Sequence, residues 1–258
     1  MSSPLVSAAQ AHALSQARFL DVRARLQYEA GQMPGAIHLE PRAWRERARN
    51  PATGLDQTAS WAAELTRLGL HGPAPVVVYD DGSMTEAARA WFILQLSGVT
   101  AFVVNGGAPA LLGTFGSHEE AIGITAPVSA RLVEKAVLAQ QVAARTARIW
   151  DARTPAEFEG SKADSYARGG HIPGGINIDH RQCFDDTGLI KPPQALRAIL
   201  CAAGFDPGQQ ITTHCGSGGR GSFAGLVAAA AGFEQVGVYY QGFSEWAADS
   251  TLAVETGA

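Results

Sequence analysis

Cysteine is scarce in this chain. Among 258 residues there are three, Cys183, Cys201 and Cys215, with no regular spacing. An odd, small number of that kind argues against a disulfide framework and against a zinc site. It fits a reducing compartment in which at least one thiol is kept for reactivity. Positive charge is not in excess either: the formal net charge is −4, which removes the basic footprint of nucleic-acid binding. Long apolar runs are absent. The least polar stretch, Phe223 to Phe233, is rich in Ala and Gly and covers only about half a membrane span, so it reads as a buried helix. The opening residues Met1-Ser2-Ser3-Pro4-Leu5-Val6-Ser7 have neither the basic segment nor the apolar core of a signal peptide. We expect a cytoplasmic protein with no membrane or nucleic-acid partner, no metal and no cofactor.

What the chain does have is a repeat. Phe19-Leu20-Asp21-Val22-Arg23 matches Ile149-Trp150-Asp151-Ala152-Arg153, and Pro34-Gly35-Ala36-Ile37 matches Pro173-Gly174-Gly175-Ile176. Val76-Val77-Val78-Tyr79-Asp80 matches Ile211-Thr212-Thr213-His214-Cys215, and Gly107 matches Gly242. Order and spacing agree, so each half is one copy of a domain: 1–115 and 128–258, with a linker at roughly 114–127. Each half alternates short extended runs with helical ones (Ser60–Leu70 and Thr85–Gly98; Pro193–Gly204 and Arg220–Gly232). That alternation predicts an α/β fold, a mostly parallel sheet flanked by helices, in each domain. The segment Ser129–Arg145 reads as a helix opening the second domain, and Thr251–Ala258 as a loosely held tail.

One stretch departs from ordinary core composition. After the β-branched run Ile211-Thr212-Thr213 come His214 and Cys215, then Gly216-Ser217-Gly218-Gly219-Arg220-Gly221 and a small-residue helical segment. Strand, tight glycine loop and helix place a thiol among backbone N–H groups at a helix N-terminus. That environment favours negative charge and predicts a thiolate near neutral pH. Ligands of parallel sheets bind beyond the carboxyl ends of the strands, where Cys215 falls. Cys201 and Cys183 read as small core residues.

The His-Cys pair with a glycine loop and an arginine also suits a cysteine phosphatase, but those loops hold five residues between Cys and Arg. Four stand here, Gly216 to Gly219, a ring sized for one extra sulfur atom rather than a phosphoryl group. On these residues, with Asp151-Ala152-Arg153, Gly170-His171-Ile172-Pro173-Gly174-Gly175 and Gly242-Phe243-Ser244-Glu245-Trp246, the chain resembles the tandem-domain rhodanese sulfurtransferases over nearly its whole length. The resemblance implies a double displacement. Cys215 takes the sulfane sulfur of a small anionic donor, thiosulfate or 3-mercaptopyruvate. It holds that sulfur as a persulfide and passes it to cyanide, a small thiol or a protein thiol. A phosphatase or arsenate reductase on the same fold, or a non-enzymatic sulfur-relay or binding module, is the alternative.

The remaining candidates divide by role. Arg220 closes the loop, with structural and electrostatic roles equally open. Ser217 stands where the serine of mercaptopyruvate sulfurtransferases assists the thiol. Asp151 and Arg153 recur as Asp21 and Arg23 in the half without the cysteine, which points to bracing of the loop. His171 is a supporting or substrate-binding candidate that reads as a satisfied turn histidine, with proton transfer as the alternative role, and His214 reads as turned to the other strand face. The family's second donor-facing arginine is replaced by Glu157, and Arg168 is the candidate substitute. In the first half Asp80 takes the cysteine position. A carboxylate carries no sulfane sulfur, so that domain is expected to be catalytically silent. Two fused halves make a monomer the default.

Overall fold

In a computed structural model of the chain, residues 3–113, 130–163 and 166–257 are described. The expected linker therefore lies outside the described residues. The chain divides into two compact units, Met1–Ser129 with Gly188–Ile190, and Ala130–Thr187 with Lys191–Ala258. The Asn105 side chain exchanges two hydrogen bonds with the backbone of Ile190, which accounts for those three residues counting with the first unit.

The first unit runs β1 (Leu5–Val6), α1 (Ala8–Ala13), β2 (Arg18–Asp21), α2 (Arg25–Ala30), β3 (Ile37–His38), α3 (Pro41–Arg49), α4 (Thr58–Arg67), β4 (Val76–Tyr79), α5 (Thr85–Leu96), β5 (Ala101–Val104) and α6 (Gly107–Gly113). The second runs β6 (Arg131–Leu132), α7 (Lys135–Ala143), β7 (Ile149–Asp151), α8 (Pro155–Glu159), β8 (Gly175–Asn177) and a 3-10 turn (His180–Cys183). It continues with α9 (Pro193–Ala202), β9 (Ile211–His214), α10 (Gly219–Ala230), β10 (Val236–Val238) and α11 (Gly242–Ala248). The sheets have the same order, β1-β5-β4-β2-β3 and β6-β10-β9-β7-β8. Every strand pair in both is parallel. The expected α/β architecture is present in each unit.

The central strands β4 and β9 are buried along their whole length, as strands covered on both faces must be. In β4 this is met by Val76, Val77, Val78 and Tyr79. In β9 it is met with polar residues that find partners: the Thr213 hydroxyl donates to the Gly221 carbonyl at 2.9 Å and ties the strand to the first turn of α10. Eleven of the twelve α10 residues are buried, and eight of those are Gly, Ala or Ser. That composition lets the helix lie close on the sheet, where a Cβ on Gly225 would stand 2.8 Å from the Val238 side chain.

Two expectations about the ends of the second unit are corrected. Ser129–Arg145 is not one helix: Arg131 and Leu132 pair with β10 as an edge strand before α7 begins. Two residues carry too little periodicity to read as a strand. The tail is not loose. Residues 252–257 return to the unit, where Glu255 forms an antiparallel bridge with His171. Trp246 Nε1 donates to the Ala253 carbonyl, and Gly257 N–H to the Glu159 carbonyl.

Candidate active site

Cys215 is the first residue beyond β9, and it is 2 % exposed. Its carbonyl accepts the Phe243 N–H at 2.7 Å, and the Gly216 carbonyl accepts the Ser244 N–H at 3.1 Å. The first turn of α11 thus holds the loop from one side. This packing demands a glycine at 242, where φ is +66° and a Cβ would stand 2.3 Å from the Cys215 carbonyl oxygen. On the other side α10 starts at Gly219, four residues after Cys215 in the chain. Its first N–H groups have no carbonyl one turn back to accept them, and the macrodipole adds positive potential there. Gly218 precedes the helix at φ +92°, and a Cβ on it would meet the Tyr240 ring at 2.8 Å. The glycine run is therefore a steric requirement of a loop drawn in against its neighbours.

Arg220 lies in the first turn of α10 and does not point at an empty anion seat. Its guanidinium is clamped by Glu157: Nη1 donates to Oε2 at 2.7 Å and Nη2 to Oε1 at 2.9 Å. Tyr166 donates its hydroxyl to Glu157 Oε1 at 2.7 Å. Glu157 is placed for this by its own helix. Thr154 caps α8, Pro155 takes the first helical position, and Glu157 at the third reaches back to the Thr154 N–H and hydroxyl. That is a capping box with proline at the position that suits it. Burial pushes the Glu157 carboxyl up, but the hydrogen bonds from Arg220 and Tyr166 outweigh it and hold the group well below the usual carboxylate range. The Tyr166 phenol is pushed up to about 12 by burial and by the Glu157 carboxylate. Arg220 is held above its ordinary value, chiefly by its hydrogen bonds to Glu157.

Asp151 and Arg153 form a buried pair beneath this layer. Arg153 Nε donates to Asp151 Oδ1 at 3.0 Å and Nη2 to Oδ2 at 2.6 Å. Nη2 also donates to the Gly170 carbonyl at 2.8 Å. The guanidinium lies 4.0 Å from the centre of the Phe243 ring, the residue whose N–H holds the Cys215 carbonyl. The pair therefore reaches the loop through Phe243. Asp21 and Arg23 repeat the fork in the first unit, with Arg23 Nη2 donating to the Gly31 carbonyl at 2.7 Å. His214 is fully buried, with Nε2 3.5 Å from Asp151 Oδ2. Burial pushes its pKa down, so it is neutral against a charged neighbour already paired.

Two candidates stand apart from this cluster. Arg168 is not a substitute donor clamp. All three of its guanidinium nitrogens donate to carbonyls, those of Ala247, Leu252, Trp246 and Asp249. A cation committed to four carbonyl oxygens pins the C-terminal segment and is not a seat for an anion. His171 is buried and stacked on Phe158 at 3.6 Å, with Nδ1 3.0 Å from the Phe158 carbonyl. It is a turn residue, not a group presented to the loop. Sequence reasoning missed Tyr166 and the partner of Glu157. The Thr-Pro-Ala-Glu signature of the cap was legible; which cation the carboxylate meets was not.

A loop of this geometry at the end of the central strand defines a class. The rhodanese-like domain model matches residues 7–113 and 134–249, and the chain belongs to that family, with two copies of the domain. It is a sulfurtransferase, as are its named relatives. It is 34% identical to "Putative thiosulfate sulfurtransferase SseB" of Mycobacterium tuberculosis, over 98% of this chain and 97% of that protein. It is 30% identical to the 3-mercaptopyruvate sulfurtransferase of Escherichia coli K12, over 89% of this chain and 85% of that one. Among solved structures, YnjE superimposes with a TM-score of 0.80 at 21% identity, covering 99% of this chain and 68% of that chain. An anaerobic ergothioneine biosynthesis enzyme from Chlorobium limicola gives 0.78 at 22%, covering 99% and 70%. At such identities these two speak to the fold alone.

Proposed function

We propose that Cys215 is the sulfur carrier and that the donor is thiosulfate or 3-mercaptopyruvate. The thiolate attacks the outer sulfur of the donor. The bond to the rest of the donor breaks, sulfite or pyruvate leaves, and the sulfur stays on Cys215 as a persulfide. Cyanide, a small thiol or a protein thiol then removes it. The observation that carries this reading is the placement of a buried thiol at the end of β9, with α10 beginning four residues on. The N–H groups of that helix start suit a terminal persulfide sulfur, which is a single anionic atom. Gly216, Ser217, Gly218, Gly219 and Gly221 supply the loop backbone. Arg220, paired to Glu157, is taken as the residue that fixes its shape. The first unit, with Asp80 at the corresponding place, is taken as catalytically silent. The three free cysteines fit a cytoplasmic setting, and a monomer is the expected state.

Mass spectrometry after incubation with each donor tests the proposal. The expected result is a gain of one sulfur atom, discharged by cyanide and absent in Cys215→Ser. No gain from any donor sinks it. Phosphate release from an aryl phosphate, lost in the same variant, would instead favour the phosphatase alternative.

A further inference from the structure

The cations around the loop are already matched. Arg220 is clamped by Glu157 through two hydrogen bonds, with side chains only 25% and 13% exposed. Arg153, which donates to the Glu157 carbonyl at 3.3 Å, is forked onto Asp151. Arg181, close enough for its charge to act on Arg220 and Glu157, is forked onto Asp179. Three arginines and three carboxylates leave no net positive charge among these groups. The third helical position of α8 needs only an acceptor to complete the cap, and glutamine serves there as well as glutamate. The charge of Glu157 is therefore not required by its local fold. It does one further thing: it places a carboxylate on the only arginine of the loop.

We infer that Glu157 is a specificity-determining residue, which cancels the loop arginine and turns the site toward singly charged sulfur donors and against dianions. The inference rests on Cys215 as the sulfur carrier. The attraction that an unmatched Arg220 would exert on a donor, and that the Glu157 carboxylate cancels, scales with the ligand's charge. It is thus about twice as large for thiosulfate as for 3-mercaptopyruvate with its thiol protonated. With the latter, the Cys215 thiolate bonds to the donor sulfur, the C–S bond breaks, and its electron pair goes to carbon. Pyruvate leaves as the enolate and takes a proton from water, while Cys215 retains S–S–H. With thiosulfate the S–S bond breaks and sulfite leaves with the pair. Neither route needs an oxidant or reductant.

The test is a comparison of kcat and KM for the two donors in the full chain and in Glu157→Gln, which keeps the cap and removes the charge. The expected result is a fall in the KM for thiosulfate, with the preference for 3-mercaptopyruvate over thiosulfate in kcat/KM narrowing about tenfold. Equal changes for both donors, or none, overturn the inference. A second measurement follows salt. Ionic strength screens the attraction of an unmatched arginine, so raising it must increase the KM for thiosulfate more steeply in Glu157→Gln than in the unaltered protein; an equal salt dependence in the two overturns the inference. If neither donor adds sulfur to Cys215, it is the proposed function that has failed, and the two failures are distinct.

Discussion

In the first unit the loop after β4 begins with Asp80; in the second the loop after β9 begins with Cys215. The two residues stand at the same strand end of the same kind of sheet. Each has its carbonyl held by an N–H from the helix after the last strand, Ala108 to Asp80 and Phe243 to Cys215, both at 2.7 Å. They part at the side chain. The Asp80 carboxylate accepts N–H groups from Gly82, Met84 and Ala87 at 2.9, 3.1 and 3.1 Å. The cradle of the first loop is filled by its own first residue. Burial pushes the Asp80 carboxyl up despite those bonds. A thiol is too short and too weak an acceptor to do the same, so a cradle headed by cysteine is left for cargo. The loops also differ in length. Five residues separate β4 from α5, and four separate β9 from α10. The difference teaches that a chain can fill such a cradle with a carboxyl group of its own.

The comparison can be broken in four ways. The largest effect belongs to Cys215→Ser, for which turnover and the gain of sulfur both fall below detection; residual activity would place the carrier elsewhere. Next is an attempt to arm the first loop: Asp80→Cys in the Cys215→Ser background. With one residue too many before the helix, mass spectrometry should find no sulfur on the introduced thiol. A gain there would show that the carboxylate alone silences the loop.

Asp80→Ala comes third. It leaves three N–H groups without their acceptor in a buried turn, and denaturant unfolding should show a loss of about 1–3 kcal/mol. A neutral result would mean that water replaces the carboxylate. The smallest effect is a pH dependence from the Glu157–Arg220 pair, which the first unit lacks: the counterparts there are Gln27 and, second in α5 as Arg220 is second in α10, Glu86. The folded-state pKa of Glu157 is depressed. Its stabilisation is therefore complete above the ordinary glutamate value of 4.5 and is lost as pH falls through the folded value. The stability difference between the unaltered protein and Glu157→Gln should be about 1 kcal/mol at neutral pH and shrink toward zero in acid. A difference that does not change with pH would mean that the pair contributes through packing alone.

Much of this is legible in the sequence. The repeat set two domains of one architecture, because matched strand ends and turns at matched spacing admit little else. The loop at Cys215 was visible because four glycines in six positions serve no packing purpose in an ordinary core. What escaped was short or distant. The edge strands β1 and β6 are two residues each, and strands that short carry no pattern. In the sequence Arg168 reads as a substrate cation, because charge in a sequence does not reveal which carbonyls surround it. Tyr166 carries no signal in the sequence, because its partners Glu157, Arg153 and Phe243 are nine, thirteen and seventy-seven positions away.

The sequence by itself determined the fold, the place of the thiol and the absence of a sulfur carrier from the first loop, since each follows from local periodicity, a tight glycine turn or the chemistry of one side chain. The tertiary structure decided the charge of the site. Arg220 reads as a cation in the chain; it becomes half of a neutral pair only when α8 brings Glu157 to within 2.7 Å of it. Electrostatics depends on distance between residues far apart in sequence, and only packing sets that distance.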